Sequence, residues 1–466
     1  MPTSFAQRKG RDGDAGVGRL SIRGPVTGGR GRPYSSSIVD LDEYGYCEAE
    51  YFVSGRAATF APAPGTTLGV DGHWNVVATD GADFTTRILV RRPSAERFNG
   101  TVVVEFMQEY FGTERDTNFR WNAETLMREG FAWVGASLHH ESVDATGGQE
   151  VEYQGMKLRP GPAMIEWDAD RYARLRFPSS DLCYDVLSQI GRAVGPERDG
   201  AVDPLPGLEV HRVVAVGNTI AADRLQHYIN GIHHRDSVFD GFLLQDVAES
   251  GVGLSGDVQS PAGLCLRTDI NVPTIVLNTM TAAVQAVDQP EGPYLRFWEP
   301  AGSAHTTGAY MVRVAAATKR DLGVESPICP ADYTNTFPLE YIAGAALVAV
   351  NRWAAEQHPA PSFARLVRTG QPPAASEEVD EHGNALGGLR SPWVDVPIAR
   401  YDWRGECLGD AGRTYPFTAD QLTGLYGEPA NYHRAFEMQA RGAQERGVLL
   451  AQDVQQAISI ARKVTW

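Results

Sequence analysis

The segment RVVAVGNTIAADRL, residues 212–225, holds the side chains best suited to chemistry. An apolar, strand-like run turns directly into a helix-forming stretch through Gly217, Asn218, Thr219, Ile220 and Ala221. A residue on so sharp a strand-to-helix turn has its side chain exposed at the sheet edge, and small neighbours two before and two after let strand and helix approach. Thr219 stands at that point, with Gly217 and Ala221 as the small neighbours. The chemistry suited to it is attack on a carbonyl. The developing oxyanion would be held by backbone N–H groups of Ile220, at the helix start, and of Gln108, at the end of an earlier strand. His305, in the loop AGSAH after the strand-like YLRFWE, is the candidate base. Taken alone, the turn reads equally well as an ordinary strand–helix connection.

A base of this kind works best with a carboxylate that orients it and stabilises its protonated form. Asp246, after the strand-like FDGFLLQ, could supply one; its alternative role is to begin a loop or cap a helix. Open α/β sheets bind ligands at the carboxyl ends of their strands. Candidate substrate contacts there are Met107, Glu109 and Tyr110 after TVVVEF, His139 and His140 after FAWVGASL, and Met280 after VPTIVLN. His139, His140 and Glu141 make a poor metal set, because adjacent histidines do not readily turn two nitrogens to one ion. Without a nucleotide fingerprint or P-loop, no cofactor and no metal are expected. Glu105, inside the buried run TVVVEF, is expected to pair structurally.

The elements that must position these residues follow from periodicity. CEAEYFVSG (47–55) and DFTTRILVRRP (83–93) alternate as strands do. TVVVEF (101–106) and FAWVGASL (131–138) are short continuous apolar runs, suited to strands covered on both faces. Helical spacing marks a segment around 122–129 and SDLCYDVLSQIGRAV (180–194), with Ser179 or Ser180 as cap. Strands separated by helices imply a mostly parallel, doubly wound α/β sheet. FPLEYIAGAALVAVNRWAAEQ (337–357) reads as a helix covering that sheet, and a short helical tail ends the chain. No long polar linker divides it. One domain over 19–466 is expected, preceded by a flexible tail at 1–18, with insertions at about 139–178 and 371–412 as cap or pocket-lining segments.

Composition sets outer bounds. The chain has 466 residues, 42% of them hydrophobic, which is enough for a sizeable core. Lys and Arg number 42 against 58 Asp and Glu, a net charge of −16 that disfavours nucleic acid and anionic membrane surfaces as partners. No apolar run reaches bilayer length, and the amino-terminal stretch lacks the apolar core of a secretory signal, so the expectation is a cytoplasmic protein. The cysteines, at 47, 183, 265, 329 and 407, are scattered as reduced thiols usually are; a Cys329–Cys407 bridge stays open.

From about Arg23 to its carboxyl end the chain resembles the α/β-hydrolase superfamily, and within it a bacterial α/β hydrolase domain family of large chains. The blocks that carry the resemblance include GYCEAEYFVSG, GTVVVEF, REGFAWVGASL, DRYARLRFPSSDLCYDVLSQIGRAV, RVVAVGNTIAADRLQHYIN, RTDINVPTIVLNT, GSAH and GNALGGLRSPWVDVP. The resemblance implies an α/β-hydrolase fold with an extended amino-terminal β region. It also implies an elbow reading Gly-Glu-Ser-Gln-Ser and an acid from Thr-Glu-Thr-Asp after the strand VPTIVLN. Here those stretches read Gly217-Asn218-Thr219-Ile220-Ala221 and Thr279-Met280-Thr281-Ala282. The nucleophilic Ser is replaced by Thr219, the usual acid is lost, and His305 is retained.

A β-branched residue at the positive φ of such a turn costs on the order of 1–3 kcal/mol. The reading that follows is an α/β-hydrolase-fold enzyme with an altered site. It would act by non-hydrolytic acid/base chemistry (elimination, cyclisation or addition) on a hydrophobic carbonyl, ester or lactone of natural-product type, and Ile220, Ala221, Met280 and Ala282 make the site apolar. Two alternatives stand beside it: an ester or lactone hydrolase using Thr219, His305 and Asp246, and a non-catalytic ligand-binding pseudo-hydrolase. The expected partner is a small hydrophobic organic substrate, with a homodimer left open.

Overall fold

The computed structural model describes residues 20–466 except 146–150, 154–155, 159–160, 248–251, 257, 326–332, 373 and 406–410. The tail at 1–18, Cys329 and Cys407 lie outside the described residues. Among the described residues, Cys47 and Cys183 are free thiols.

Nine strands form the central sheet among the described residues: β1 (Ser21–Arg23), β2 (Tyr46–Ala57), β3 (Ala82–Pro93), β4 (Thr101–Phe106), β5 (Ala132–Ala136), β6 (Arg212–Asn218), β7 (Gly241–Gln245), β8 (Thr274–Leu277) and β9 (Leu295–Trp298). Their order is β1-β2-β3-β5-β4-β6-β7-β8-β9. The pairs from β5 through β9 are parallel, while β1, β2 and β3 join antiparallel. Parallel neighbours need long crossovers, and helices supply them. α1 (Thr117–Arg128) links β4 to β5, α2 (Cys183–Val194) precedes β6, and α3 (Ile220–His227) follows it. α4 (Gly308–Leu322) and α5 (Leu339–Glu356) follow β9. This is the mostly parallel, doubly wound sheet expected from the sequence.

The apolar runs are continuous because both sheet faces are covered. In β4, Val102, Val104 and Phe106 enter one core, and Val103 enters the other. In β6, Val213 and Ala215 oppose Val214 and Val216 in the same way. α5, placed over the sheet as its sequence suggests, packs on β6, β7 and β8. Two details differ from expectation. Helix 122–129 begins earlier, at Thr117, because Glu105 accepts the N–H groups of Asn118 and Phe119 at 2.9 Å each and so anchors the first turn. The short tail is instead three helices, Ala419–Tyr426, α6 (Pro429–Glu445) and α7 (Ala451–Ala461), whose apolar faces extend the α5 side of the core.

Candidate active site

Consecutive parallel strands end side by side, so the residues after β6, β7, β8 and β9 gather at one edge of the sheet. Thr219 follows β6 with φ 54° and ψ −117°, a strained backbone that places its side chain at the mouth of the edge. The small neighbours have a steric reason. A Cβ on Gly217 would stand 2.8 Å from the backbone of Ala221, so strand and helix meet only because residue 217 is glycine. Ala221 is fully buried against this crossing and contributes nothing to the pocket surface. Ile220 opens α3, where the first-turn N–H groups have no partner within the helix.

Asp246 follows β7, also at positive φ (50°), and is 1% exposed. Its Oδ1 accepts the N–H of Thr279 at 2.6 Å, and its Oδ2 lies 2.6 Å from Nδ1 of His305. A carboxylate with one oxygen on a backbone N–H and the other on an imidazole nitrogen fixes the ring through Nδ1 and stabilises its protonated form. The His305 backbone N–H donates to Thr281 Oγ1 at 3.1 Å, which sets the loop. Thus the stretch 279–282, which has no carboxylate, still holds both members of the pair. The structure brings Asp246 and His305 together in place of the loop-starting or capping role left open above, and the site retains a carboxylate.

Thr219 Oγ1 donates to Asn218 Oδ1 at 2.7 Å. Asn218 is the last residue of β6, and its side chain shares the face of Val214 and Val216. Sequence reasoning noticed Asn218 only as a replacement and missed it as the acceptor of the hydroxyl. A polar side chain directly before the elbow residue was the available signal.

The other candidates divide. Gln108 begins a short strand, Gln108–Tyr110, against which α3 packs, so its backbone lies beside the elbow. Its side-chain oxygen is occupied by Thr117 Oγ1 at 2.7 Å. Met107 is not brought to the site: it is fully buried in the core under α1, and its N–H donates to Ala136 O at 3.1 Å. Glu109 accepts the Gly112 N–H at 2.6 Å, and burial, with Glu141 nearby, raises its pKa. Tyr110 packs edge-on to Phe111 and lies under the Arg115 guanidinium, 3.8 Å from the ring centre.

His139 is buried, with its ring on Phe106. His140 turns Nδ1 to Asp144 and to Phe177 O, both at 2.8 Å, and so serves its own loop. Met280 accepts the Gly302 N–H through Sδ and borders a cavity of about 210 Å³ together with Glu377, Arg400, Tyr401, Asp402 and Arg404. The last five belong to the stretch 371–412. Among the described residues no group of three or more His, Cys, Asp and Glu side chains is placed to hold a metal, and no helix is long and apolar enough to cross a membrane.

Residues 22–459 match the model of the family described as "Alpha/beta hydrolase domain". No curated protein matches the chain. Among solved structures it is similar to a poly(3-hydroxybutyrate) depolymerase from Bordetella parapertussis, with 12% identity over 53% of this chain and 88% of that one, at a TM-score of 0.26. It is also similar to an alpha-beta serine hydrolase homologue from Coxiella burnetii, with 10% identity over 51% and 92%, at 0.28. A third is esterase 2 of Thermogutta terrifontis, with 14% identity over 53% and 93%, at 0.27.

Proposed function

Because the chain belongs to the alpha/beta hydrolase domain family, we propose that it hydrolyses an ester or lactone, with Thr219 as nucleophile, His305 as base and Asp246 as its acid. The observation that carries this reading is the 2.6 Å contact between Asp246 Oδ2 and His305 Nδ1. In the first step His305 Nε2 takes the Thr219 Oγ1 proton as Oγ1 bonds to the carbonyl carbon. The oxyanion is received by the N–H groups of Ile220 and Gln108. The proton passes to the leaving alcohol as its C–O bond breaks, and water then repeats the sequence on the acyl-threonine. The described residues of 371–412 that border the cavity beside Met280, among them Arg400, Tyr401 and Asp402, supply part of the substrate's wall.

The test is turnover of a panel of activated esters and labelling by a serine-directed phosphonate. Wild type and Thr219→Ser should turn over and label, Asp246→Asn should lose about 10³–10⁴ in kcat, and Thr219→Ala should lose both signals. Absence of turnover and labelling in both wild type and Thr219→Ser overturns the reading.

One observation favours a second reading. The Thr219 hydroxyl proton is directed at Asn218 Oδ1, an arrangement suited to a fixed hydroxyl beside the substrate while His305 moves substrate protons directly, without net hydrolysis. Then His305→Ala abolishes the native reaction and Thr219→Ala only slows it. A ligand-binding protein without chemistry is the outcome if neither change affects any reaction.

A further inference from the structure

Behind the elbow, α3 carries a buried cation, Arg224, that makes no ion pair among the described residues. Arg224 lies five residues after Thr219, about 7–8 Å along the helix axis, and is 8% exposed. Its Nη1 donates to Tyr184 Oη at 3.2 Å and to Gly253 O at 3.1 Å. Nε is buried without a partner, and Nη2 makes no hydrogen bond among the described residues. Asp181, whose charge acts on Arg224, makes no ion pair with it; Asp181 Oδ2 accepts the Gly256 N–H at 3.0 Å.

The two donors left over are not arbitrary. Nε and Nη2 form one straight edge of the guanidinium, the edge that matches the two oxygens of a carboxylate. A buried guanidinium without an anion is costly, and native proteins seldom leave such a group uncompensated. His139 lies within reach of the same charge. Its ring packs on Phe106 with centroids 5.1 Å apart, and its Nε2 is buried without a partner. Burial, and then the Arg224 charge, lower its pKa to about 3, so it is a neutral imidazole that adds a donor without adding a second cation.

We propose that Arg224 and His139 form an anion pocket that takes a substrate carboxylate, so that the substrate is an ester or lactone carrying a carboxylate a few bonds from the reacting carbonyl. The substrate part of this inference rests on the hydrolytic reading; the pocket does not. A single planar fork with one neutral donor suits a carboxylate better than a phosphate dianion, which calls for more donors.

The experiment uses the full chain in two arms. Calorimetry measures hexanoate, with hexan-1-ol as the neutral control, on wild type, Arg224→Lys and His139→Phe; thermal melts confirm that each variant is folded. The lysine variant keeps the charge and loses the fork. The expected result is that hexanoate binds wild type more tightly than hexan-1-ol does, and that it binds Arg224→Lys about 10-fold more weakly than wild type. His139→Phe should weaken it by a smaller factor.

The second arm compares p-nitrophenyl hemiesters of glutaric and adipic acids with p-nitrophenyl butyrate. Wild type should prefer the hemiesters, and Arg224→Lys should lower that preference by about 10-fold. Hexanoate binding that is absent, or equal in wild type and Arg224→Lys, overturns the pocket. Arginine-dependent binding without ester turnover keeps the pocket and removes the hydrolase. Turnover with no preference for hemiesters, and no change of the ratio in Arg224→Lys, removes the pocket and keeps the hydrolase.

Discussion

Thr219 sits at φ 54° and ψ −117°, where a β-branched side chain is strained. A residue free of Cβ relieves that strain, so Thr219→Gly should raise the denaturant midpoint, by about 1 kcal/mol after the entropy lost by glycine is subtracted, while abolishing turnover. An unchanged or lower midpoint would show that the elbow is relaxed around threonine. The Asn218 contact belongs to this scale too. Its Oδ1 fixes the hydroxyl at 2.7 Å, and the identity of that acceptor separates the hydrolytic from the proton-transfer reading. The Asp246–His305 pair was legible as an option, because an acid after one strand and a histidine after another can meet only if the strands are near. Their 2.6 Å separation is a fact of folding.

At the scale of elements, the β6–α3 crossing governs the site. Gly217 lets the helix lie on the strand, and a Cβ there would stand 2.8 Å from the Ala221 carbonyl group. Gly217→Ala should therefore destabilise by about 1–3 kcal/mol and lower kcat with little change in KM, since the helix can move only by carrying Thr219 and the Ile220 N–H with it. Stopped-assay kinetics and a denaturation curve check both parts. α1 is held differently. Glu105 accepts the N–H groups of Asn118 and Phe119 and the indole N–H of Trp133, each at 2.9 Å, while burial and the Asp116 charge push its pKa up to about 8. The pairing expected for Glu105 is thus with a helix start and an indole, neither of which is adjacent to it in sequence.

Over the whole molecule, a charged network buried under the amino-terminal strands joins distant segments. Arg87 of β3 reaches Glu50 of β2 and Glu114, both at 2.7 Å, and Arg171 reaches the second oxygen of Glu50 at 2.6 Å. Arg171 lies in the short helix Ala169–Tyr172, so this network ties that helix to the sheet. Arg87→Met would leave the buried Glu114 without its cation and Glu50 with Arg171 alone, and should cost about 3–5 kcal/mol of stability in a denaturation curve, with little dependence on salt. Acid should weaken the fold by a separate route. Burial, then Arg224, depress His139 and His227 from 6.5 to about 3. A depressed folded pKa means that the unfolded chain binds protons first, so this stability is complete above about pH 6.5 and is lost as pH falls toward 3. His139→Phe should flatten that decline. An equal slope in the variant would show that His139 does not contribute to it.

The order of apolar runs and helical spacings determined the parallel sheet, and the small residues around Thr219 determined the elbow, because both depend on near neighbours in the chain. Residue types also marked His305 and offered Asp246. Which acid meets the imidazole was decided by the register of β7 beside β8, which sets Asp246 over the Thr279 N–H. Met107 shows the converse: next to Gln108 in the chain, it points to the opposite side of the edge and is core. The fork of Arg224, without a partner among the described residues, was likewise invisible, since an arginine on a helix usually reaches water. Here Arg224 is buried and donates to Tyr184 Oη and Gly253 O, groups far from it in the chain. Local physics is written in short stretches of sequence, but which groups meet, and which are left without partners, depends on contacts between segments far apart in the chain.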